Sequence, residues 1–326
     1  METKILITGG SGFIGTNLVQ HYLDKNINVL NIDIVKPRNN KHLDYYRRVD
    51  ICNKHSLIDC ILDFKPTHIV HLAARTDLDG TSLDDYKANT EGVSNLIEAI
   101  CAADSVIKTI FASSMLVCKA GYKPVDYDDY NATTFYGESK VFTEKYIKRN
   151  TSIRSEWNIV RPTSIWGPWF GSPYRNFFDM ILQNRYVNIK GRTATKTFGF
   201  VENAVFQINE ILFSESNSHN KEVFYIGDKP PINISIWANE ILYNLNKKPA
   251  LALPFFIFKI LALIGDFLSL LGVSFPMSSF RLKNMTTDNI QNLENTYSLA
   301  GEPPIKRNEG IKKTIEWMSS VDSFSL

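Results

Sequence analysis

Three side chains in this 326-residue sequence can carry out proton transfer together if the fold brings them to one place. Tyr136 and Lys140, in Tyr136-Gly137-Glu138-Ser139-Lys140, stand four apart and therefore share one face of a helix. A free phenol, with a pKa of about 10, is a poor base at neutral pH. An ammonium beside it, together with any cationic ring bound nearby, favours the phenolate and lowers that pKa. Ser113 and Ser114 close the strand-like run Lys108–Ala112, and Tyr136 follows Ser114 by 22 residues. A hydroxyl at a strand end can hydrogen-bond a substrate alcohol or carbonyl next to the phenol. Taken singly, a Tyr/Lys pair is ordinary on a surface and a Ser pair is an ordinary turn former. Their order along the chain is what points to a site.

A second group of residues is built for phosphate. Thr8-Gly9-Gly10-Ser11-Gly12-Phe13-Ile14-Gly15 follows an apolar strand-like run and opens a helix-like one. Gly9, Gly12 and Gly15 permit a tight turn, and with Phe13 and Ile14 they bring backbone N–H groups and a helix N-terminus to a pyrophosphate. Asp33 ends the next strand 18 residues past Gly15, where a carboxylate accepts from a ribose 2′-hydroxyl and repels a 2′-phosphate. This favours NAD over NADP, with Lys36 and Arg38 as the nearby cations that oppose it.

Positioning these groups requires alternating strands and helices. Strands are expected at Lys4–Thr8, Asn28–Ile32, Thr67–Leu72, Lys108–Ala112 and Trp157–Val160. Helices are expected at Phe13–Lys25, His55–Phe64, Asp84–Ala103 and Phe135–Lys148. The pattern is a doubly wound parallel α/β sheet of the Rossmann kind. Residues 1–161 read as the cofactor unit. Residues 162–326 read as an interleaved substrate-binding part, with about 197–227 returning to the sheet through Phe198–Asn203 and Val223–Gly227. A formal charge of +2, 44% hydrophobic and 21% charged residues describe a globular chain without a nucleic-acid footprint. Four cysteines without ligand spacing read as free thiols, so no metal is expected. The N-terminus runs directly into a strand, which leads to the expectation of a cytoplasmic protein.

The whole set resembles the extended short-chain dehydrogenases/reductases, and within them the NAD-dependent epimerase/dehydratase family. Thr8–Gly15 is similar to that family's TGGxGFIG, and Ser113-Ser114-Met115-Leu116-Val117 to its SSxxV. Tyr136 and Lys140 match YxxxK, and Arg161–Pro168 resembles RxxNVYGP. The resemblance implies that Ser114, Tyr136 and Lys140 are catalytic. It further implies that Asp50, Ile51, Leu72, Ala73, Ala74, Asn89 and Ser113 join the glycine motif and Asp33 around NAD. It implies a homodimer built on the helices Asp84–Ala103 and Phe135–Lys148, and a sugar-pyrophosphate substrate. The implied reaction is oxidation at sugar C4, with Tyr136 taking the hydroxyl proton as hydride passes to NAD, then reduction of the turned keto sugar. A net dehydrogenase or reductase acting on a sugar or sterol-like alcohol is the nearest alternative. A non-catalytic NAD sensor would have no need of the three catalytic residues together.

The departures from the pattern carry information. Dehydratases of the family have Asp-Glu after the catalytic hydroxyl residue, where this chain has Met115-Leu116, which cannot do acid/base chemistry. Cys118-Lys119 stand for the usual Tyr-Gly, and Ser164 for the usual Asn in a substrate-facing position. Lys196 stands where the family often has Arg. Lys196 and Arg192 can meet a substrate phosphate or be solvated surface charges. Finally, Leu251–Phe275 is apolar apart from Lys259 and Asp266, without an uncharged run long enough to span a bilayer. On a helix, Lys259, Ala262, Asp266 and Ser269 form one narrow stripe and the rest is apolar. Such a helix is buried on several sides, forms a dimer contact or lies on a membrane surface. With its flanking sequence it resembles bacterial epimerases acting on undecaprenyl-pyrophosphate-linked N-acetylglucosamine.

Overall fold

Ile5 and Ile7 enter one buried layer and Leu6 the opposite one, so the first strand, β1 (Lys4–Thr8), is apolar on both faces. That is the requirement of a parallel sheet covered by helices on both sides. The computed structural model describes residues 2–214, 219–273, 275 and 277–322. After β1 come α1 (Phe13–Asp24), β2 (Asn28–Asp33), β3 (Tyr46–Arg48), α2 (Lys54–Phe64), β4 (His68–His71), α3 (Lys87–Ala102), β5 (Lys108–Ala112), α4 (Phe135–Arg149) and β6 (Glu156–Pro162). The second half adds β7 (Ser164–Trp166), α5 (Tyr174–Leu182), β8 (Asn188–Lys190), β9 (Thr195–Lys196), β10 (Phe198–Phe200), α6 (Val201–Leu212) and β11 (Val223–Ile226). It ends with β12 (Ile232–Asn233), α7 (Ile234–Asn244), β13 (Ala252–Pro254), α8 (Phe255–Leu270), α9 (Ser279–Thr286), α10 (Glu294–Ala300) and α11 (Arg307–Asp322).

Seven parallel strands form the central sheet in the order β11-β6-β5-β4-β1-β2-β3. Leu18 and Val19 of α1 pack with Val205 and Ile208 of α6 in the layer that holds Ile5 and Ile7. Leu57 of α2, Leu96 of α3 and Ile147 of α4 pack in the layer that holds Leu6. The winding reverses between β1 and β4, which opens a crevice at the carboxyl ends of these strands, the place where such sheets bind ligands. This is the doubly wound architecture expected from the sequence.

Two expected elements come out differently. The helix expected over Asp84–Ala103 starts only at Lys87, because the Asp85 carboxylate accepts the N–H groups of Thr81 and Ser82 and draws Leu83–Tyr86 into a separate tight turn. Phe198–Asn203 does not return to the main sheet. Phe198–Phe200 pairs with β7 in a two-stranded sheet, and Val201 begins α6 because Asp228 accepts the Phe200 N–H at 2.7 Å and the Asn203 amide at 3.0 Å. Val223–Ile226 does join the main sheet, beside β6.

The apolar segment forms β13 and α8, and its residue Ser274 lies outside the described residues. Burial on several sides, one of the expectations for this helix, is not found. Phe258, Ala262 and Gly265 pack on a small separate core with Ile189 and Leu282. Within the polar stripe Ala262 is buried and Asp266 accepts the Ser279 N–H of α9 at 3.0 Å, while Lys259 and Ser269 stay exposed. The apolar arc faces out: Phe256 is 61%, Leu263 66%, Phe267 62% and Leu270 84% exposed. Among the described residues no helix is long and apolar enough to cross a membrane.

Candidate active site

The glycine loop builds a cradle at the mouth of the crevice. Gly9 leaves β1 with φ at 72°, and a side chain there would strike the backbone of Leu72 and Ala73. A Cβ on Gly15 would run into the Gly9 carbonyl, so α1 can start this close to the strand only with glycine there. The N-terminus of α1, capped by no side chain, leaves the first-turn amides of Phe13, Ile14 and Gly15 for a phosphate. Asp33 ends β2 beside the loop, accepting the Ser11 N–H at 3.1 Å and the Val35 N–H at 3.2 Å. Each of its carboxylate oxygens keeps a lone pair for a ribose hydroxyl. The Arg38 guanidinium donates to the Trp169 carbonyl at 2.6 Å.

The other wall of the crevice is the end of β4. Thr8 Oγ1 accepts the Ala73 N–H at 3.2 Å and bonds His71 Nδ1 at 2.7 Å, which ties the half-buried Leu72-Ala73-Ala74 loop to β1. Burial holds the His71 imidazole down to about 3, with the Lys140 charge adding to the effect, so the ring is neutral. Ile51 is buried against Gly92 of α3, and the neighbouring Asp50 carboxylate accepts the Cys52 N–H at 2.8 Å. Asn89 is engaged inside the protein. Its amide donates to the Arg75 carbonyl at 3.0 Å and to Ser139 Oγ at 2.8 Å, and it accepts the Arg75 N–H at 2.8 Å. With both amide hydrogens used inside the protein, Asn89 positions the β4 loop against α4.

Ser114, Tyr136 and Lys140 converge where β5 meets α4. Thr134 caps α4 by accepting the Gly137 N–H at 3.0 Å, which sets Tyr136 in the first turn and Lys140 one turn on. Ser114 stands in extended backbone and caps the short turn Met115–Val117, accepting the Leu116 N–H at 3.1 Å. Burial pushes the Tyr136 phenol up to about 12, and the Ser114 hydroxyl beside it pulls the other way. The Lys140 ammonium donates to the Ala112 carbonyl at 2.8 Å, and burial lowers its pKa to about 8 against the opposing pull of Glu144. Without cofactor, burial dominates the Tyr136 phenol, and the lowering expected from Lys140 is not among the influences on it. Ser113 Oγ is buried and has no hydrogen-bond partner among the described residues. A polar ligand in the crevice would satisfy it, so the cradle, Asp33 and this orphaned hydroxyl together fit a dinucleotide.

Residues expected to meet substrate are spread along the second half. Ser164, buried in β7, accepts the Tyr174 hydroxyl at 2.8 Å, and Tyr174 reaches the surroundings of Tyr136. Lys196 in β9 donates to the Asn284 carbonyl of α9 at 2.8 Å, and burial lowers its pKa. Lys196 also pairs across to Asn289, whose amide reaches Met115 Sδ at 3.6 Å, next to Ser114. Arg192 stands apart, with its guanidinium 4.4 Å from the ring centre of Phe255 at the start of α8.

Glu144, Tyr86 and Tyr174 escaped the sequence reading, as did the pairing of Glu144 with Arg161. Glu144 and Arg161 form a fully buried two-pronged ion pair (2.8 and 2.7 Å), joined by the Tyr225 and Tyr130 hydroxyls. Glu144 lies one turn past Lys140, so this pair clamps α4 to β6 directly below the ammonium. The spacing Lys140 to Glu144 was visible, but its partner on a distant strand was not. Tyr86 packs 6.2 Å from the Tyr136 ring, and its hydroxyl donates to the Asp77 carbonyl at 2.9 Å. Tyr174 completes the aromatic surround of the phenol.

Comparison with known proteins agrees with this geometry. The family model described as NAD dependent epimerase/dehydratase family matches residues 5–227. The chain is 26% identical to the N-acetyl-alpha-D-glucosaminyl-diphospho-ditrans,octacis-undecaprenol 4-epimerase of Escherichia coli O157:H7, over 97% of this chain and 96% of that one. It is 24% identical to the mouse (Mus musculus) sterol-4-alpha-carboxylate 3-dehydrogenase, decarboxylating, over 96% of this chain and 90% of that one. Its fold is similar to the crystal structure of a Thermotoga maritima UDP-glucose 4-epimerase with UDP-glucose, with a TM-score of 0.75 and 19% identity, covering 98% of this chain and 99% of that one. The cradle at the β1–β4 crevice, the buried Ser114/Tyr136/Lys140 group and the matched family model lead to one statement: the chain belongs to the NAD dependent epimerase/dehydratase family, and its cofactor is NAD.

Proposed function

We propose that this protein is an NAD-dependent epimerase that inverts the C4 hydroxyl of a sugar attached to a pyrophosphate. The observation that carries the reading is the convergence of Ser114, Tyr136 and Lys140 beside Met115 and Leu116, which offer no acid/base pair for dehydration. The crevice of the glycine loop and Asp33 would hold NAD, which would supply reversible hydride acceptance at the sugar carbon without net redox. Tyr136 takes the hydroxyl proton and later gives it back, while Ser114 hydrogen-bonds the same oxygen and holds it in line. Burial pushes the phenol up, and a cationic ring bound beside it would favour the phenolate. Lys140, held on the Ala112 carbonyl, would have its remaining N–H groups for the nicotinamide ribose. Residues 1–161 form the cofactor unit and residues 162–326 the substrate unit in this reading.

The outward apolar arc of α8 favours a polyprenyl carrier over a nucleotide, and a cytoplasmic enzyme docked on the membrane face. A helix on a water-facing surface buries its apolar arc, whereas α8 leaves Phe256, Leu263, Phe267 and Leu270 exposed. Such an enzyme would serve the assembly of surface polysaccharides such as O-antigen, working as a homodimer through the exposed sides of α3 and α4. The test offers purified protein UDP-N-acetylglucosamine and undecaprenyl-pyrophosphoryl-N-acetylglucosamine, with trace NAD. Epimerised sugar without accumulating NADH supports the proposal. Stoichiometric NADH overturns it in favour of a dehydrogenase, and turnover of the nucleotide sugar alone removes the lipid carrier.

A further inference from the structure

The packing of α9 on α8 leaves an open cleft of about 380 Å³ between them. Phe255, Ala262, Leu263 and Leu282 give it an apolar floor, and Lys259 and Lys283 stand at its edge. Phe255 at one end is flanked by two cations, with Arg192 at 4.4 Å and Lys259 at 5.3 Å from its ring centre. Among the described residues no carboxylate pairs with Arg192, Lys259 or Lys283. Three uncompensated cations gathered around an apolar floor suit a ligand with a multiply charged anionic head and a hydrocarbon tail.

The cleft is also connected to the catalytic group. Asn289 touches Met115 beside Ser114, Lys196 pairs with Asn289, and the Lys196 ammonium is held on the Asn284 carbonyl in the last turns of α9. A path thus runs from the catalytic hydroxyl through Lys196 to the cleft, with cations at both its middle and its end. Leu263 belongs both to the cleft and to the exposed arc of α8, so the floor is continuous with the outward apolar face.

Resting on the reading of a pyrophosphate-linked sugar with a polyprenyl carrier, we propose that the α8–α9 cleft is the subsite for the carrier. The diphosphate lies between Lys196 and the trio Arg192, Lys259 and Lys283, and the first isoprene units lie on Phe255, Ala262, Leu263 and Leu282. The cleft holds only the carrier-proximal units, and the rest of the chain leaves over Leu263 along the apolar arc. A uridine has no counterpart for this floor, so the cleft is what discriminates between the two carriers.

The probe is farnesyl-diphospho-N-acetylglucosamine, which is short enough to be assayed in solution without vesicles. Leu263→Asp and Lys283→Glu change exposed positions, and unaltered circular dichroism and melting curves certify their fold. Each should raise KM for this probe by about tenfold or more, as expected for loss of a charge-assisted contact or an apolar floor, with kcat near wild type. A benzophenone-bearing farnesyl diphosphate should crosslink to peptides within residues 255–286. If wild type turns over the farnesyl sugar while both variants keep its KM and the crosslink maps elsewhere, the cleft is not the subsite and the polyprenyl reading stands. If wild type ignores the farnesyl sugar but turns over UDP-N-acetylglucosamine, the polyprenyl reading falls and the subsite with it.

Discussion

Lys140 donates its ammonium to the Ala112 carbonyl at 2.8 Å, on the strand that ends in Ser113 and Ser114, rather than to Tyr136 on its own helix. The lysine thereby joins α4 to β5 at the floor of the crevice. One turn further along α4, the Glu144–Arg161 pair joins the same helix to β6. Two successive turns of the catalytic helix are therefore tied to two neighbouring strands, and the Tyr136 oxygen is placed by both.

Tyr136→Phe should lower turnover by about a hundredfold or more while leaving NAD affinity near wild type, since general-base loss costs at least that much. Lys140→Ala should reduce both. Steady-state kinetics beside a fluorescence titration of NAD separates the two cases, and a Tyr136→Phe enzyme keeping a tenth of its rate would remove the phenol from the mechanism.

The pH dependence of stability follows from Lys140. Its folded-state pKa of about 8 lies below the ordinary lysine value of 10.5, so between these values the unfolded chain binds more protons than the folded one. Stability without cofactor should rise with pH across that window and be lost again as pH falls to about 8, with no further change from this group below it. The buried ammonium costs about 3 kcal/mol at neutral pH. Lys140→Met should raise the melting temperature at pH 7 and flatten the slope between pH 8 and 10. An unchanged slope would mean that Lys140 is solvated.

We propose that the choice of NAD over NADP rests on Asp33, with Arg38 engaged at the Trp169 carbonyl. Titrating protein stripped of nucleotide should give tighter binding of NAD than of NADP, and Asp33→Asn should narrow the gap. Tighter binding of NADP by wild type would show that Lys36 or Arg38 overrides the carboxylate.

The buried clamp should behave as an ion pair whose halves cannot be separated. Glu144→Gln leaves the Arg161 charge without its counterion and should cost about 3–5 kcal/mol in urea unfolding. Glu144→Leu combined with Arg161→Met should recover much of that loss. It should not recover kcat if the clamp positions α4, because the tie between the two elements is gone.

Charges placed on the outward arc of α8 distinguish a membrane face from a core. Phe256→Asp, Phe267→Asp and Leu270→Asp alter exposed positions and should each shift stability by no more than about 0.5 kcal/mol. They should release the protein from vesicles containing anionic lipid in a flotation assay. Losses of several kcal/mol would instead mean that another part of the protein covers this face.

The dinucleotide-binding half could be read from the sequence because its signals are local. A glycine at Gly9 or Gly15, an acid at Asp33 and a Tyr/Lys pair at helical spacing are demanded by backbone geometry within a few residues, and strand and helix periodicities place them. What the sequence could not express is which distant residues satisfy each buried group. Burial removes water from Lys140, Asn89 and Glu144, and each then needs a partner that only chain packing brings near: Ala112, Arg75 with Ser139, and Arg161. For the same reason the fates of Ser164, Lys196 and Arg192 were open, since a polar residue on a strand edge is solvated or engaged according to what crosses it. The composition of α8 determined that the helix has one polar stripe and a wide apolar arc. Its orientation was decided by tertiary structure, because the packing of Leu282 on Phe258 and Ala262 and the Asp266–Ser279 bond fix which face meets α9 and leave most of the apolar arc outside.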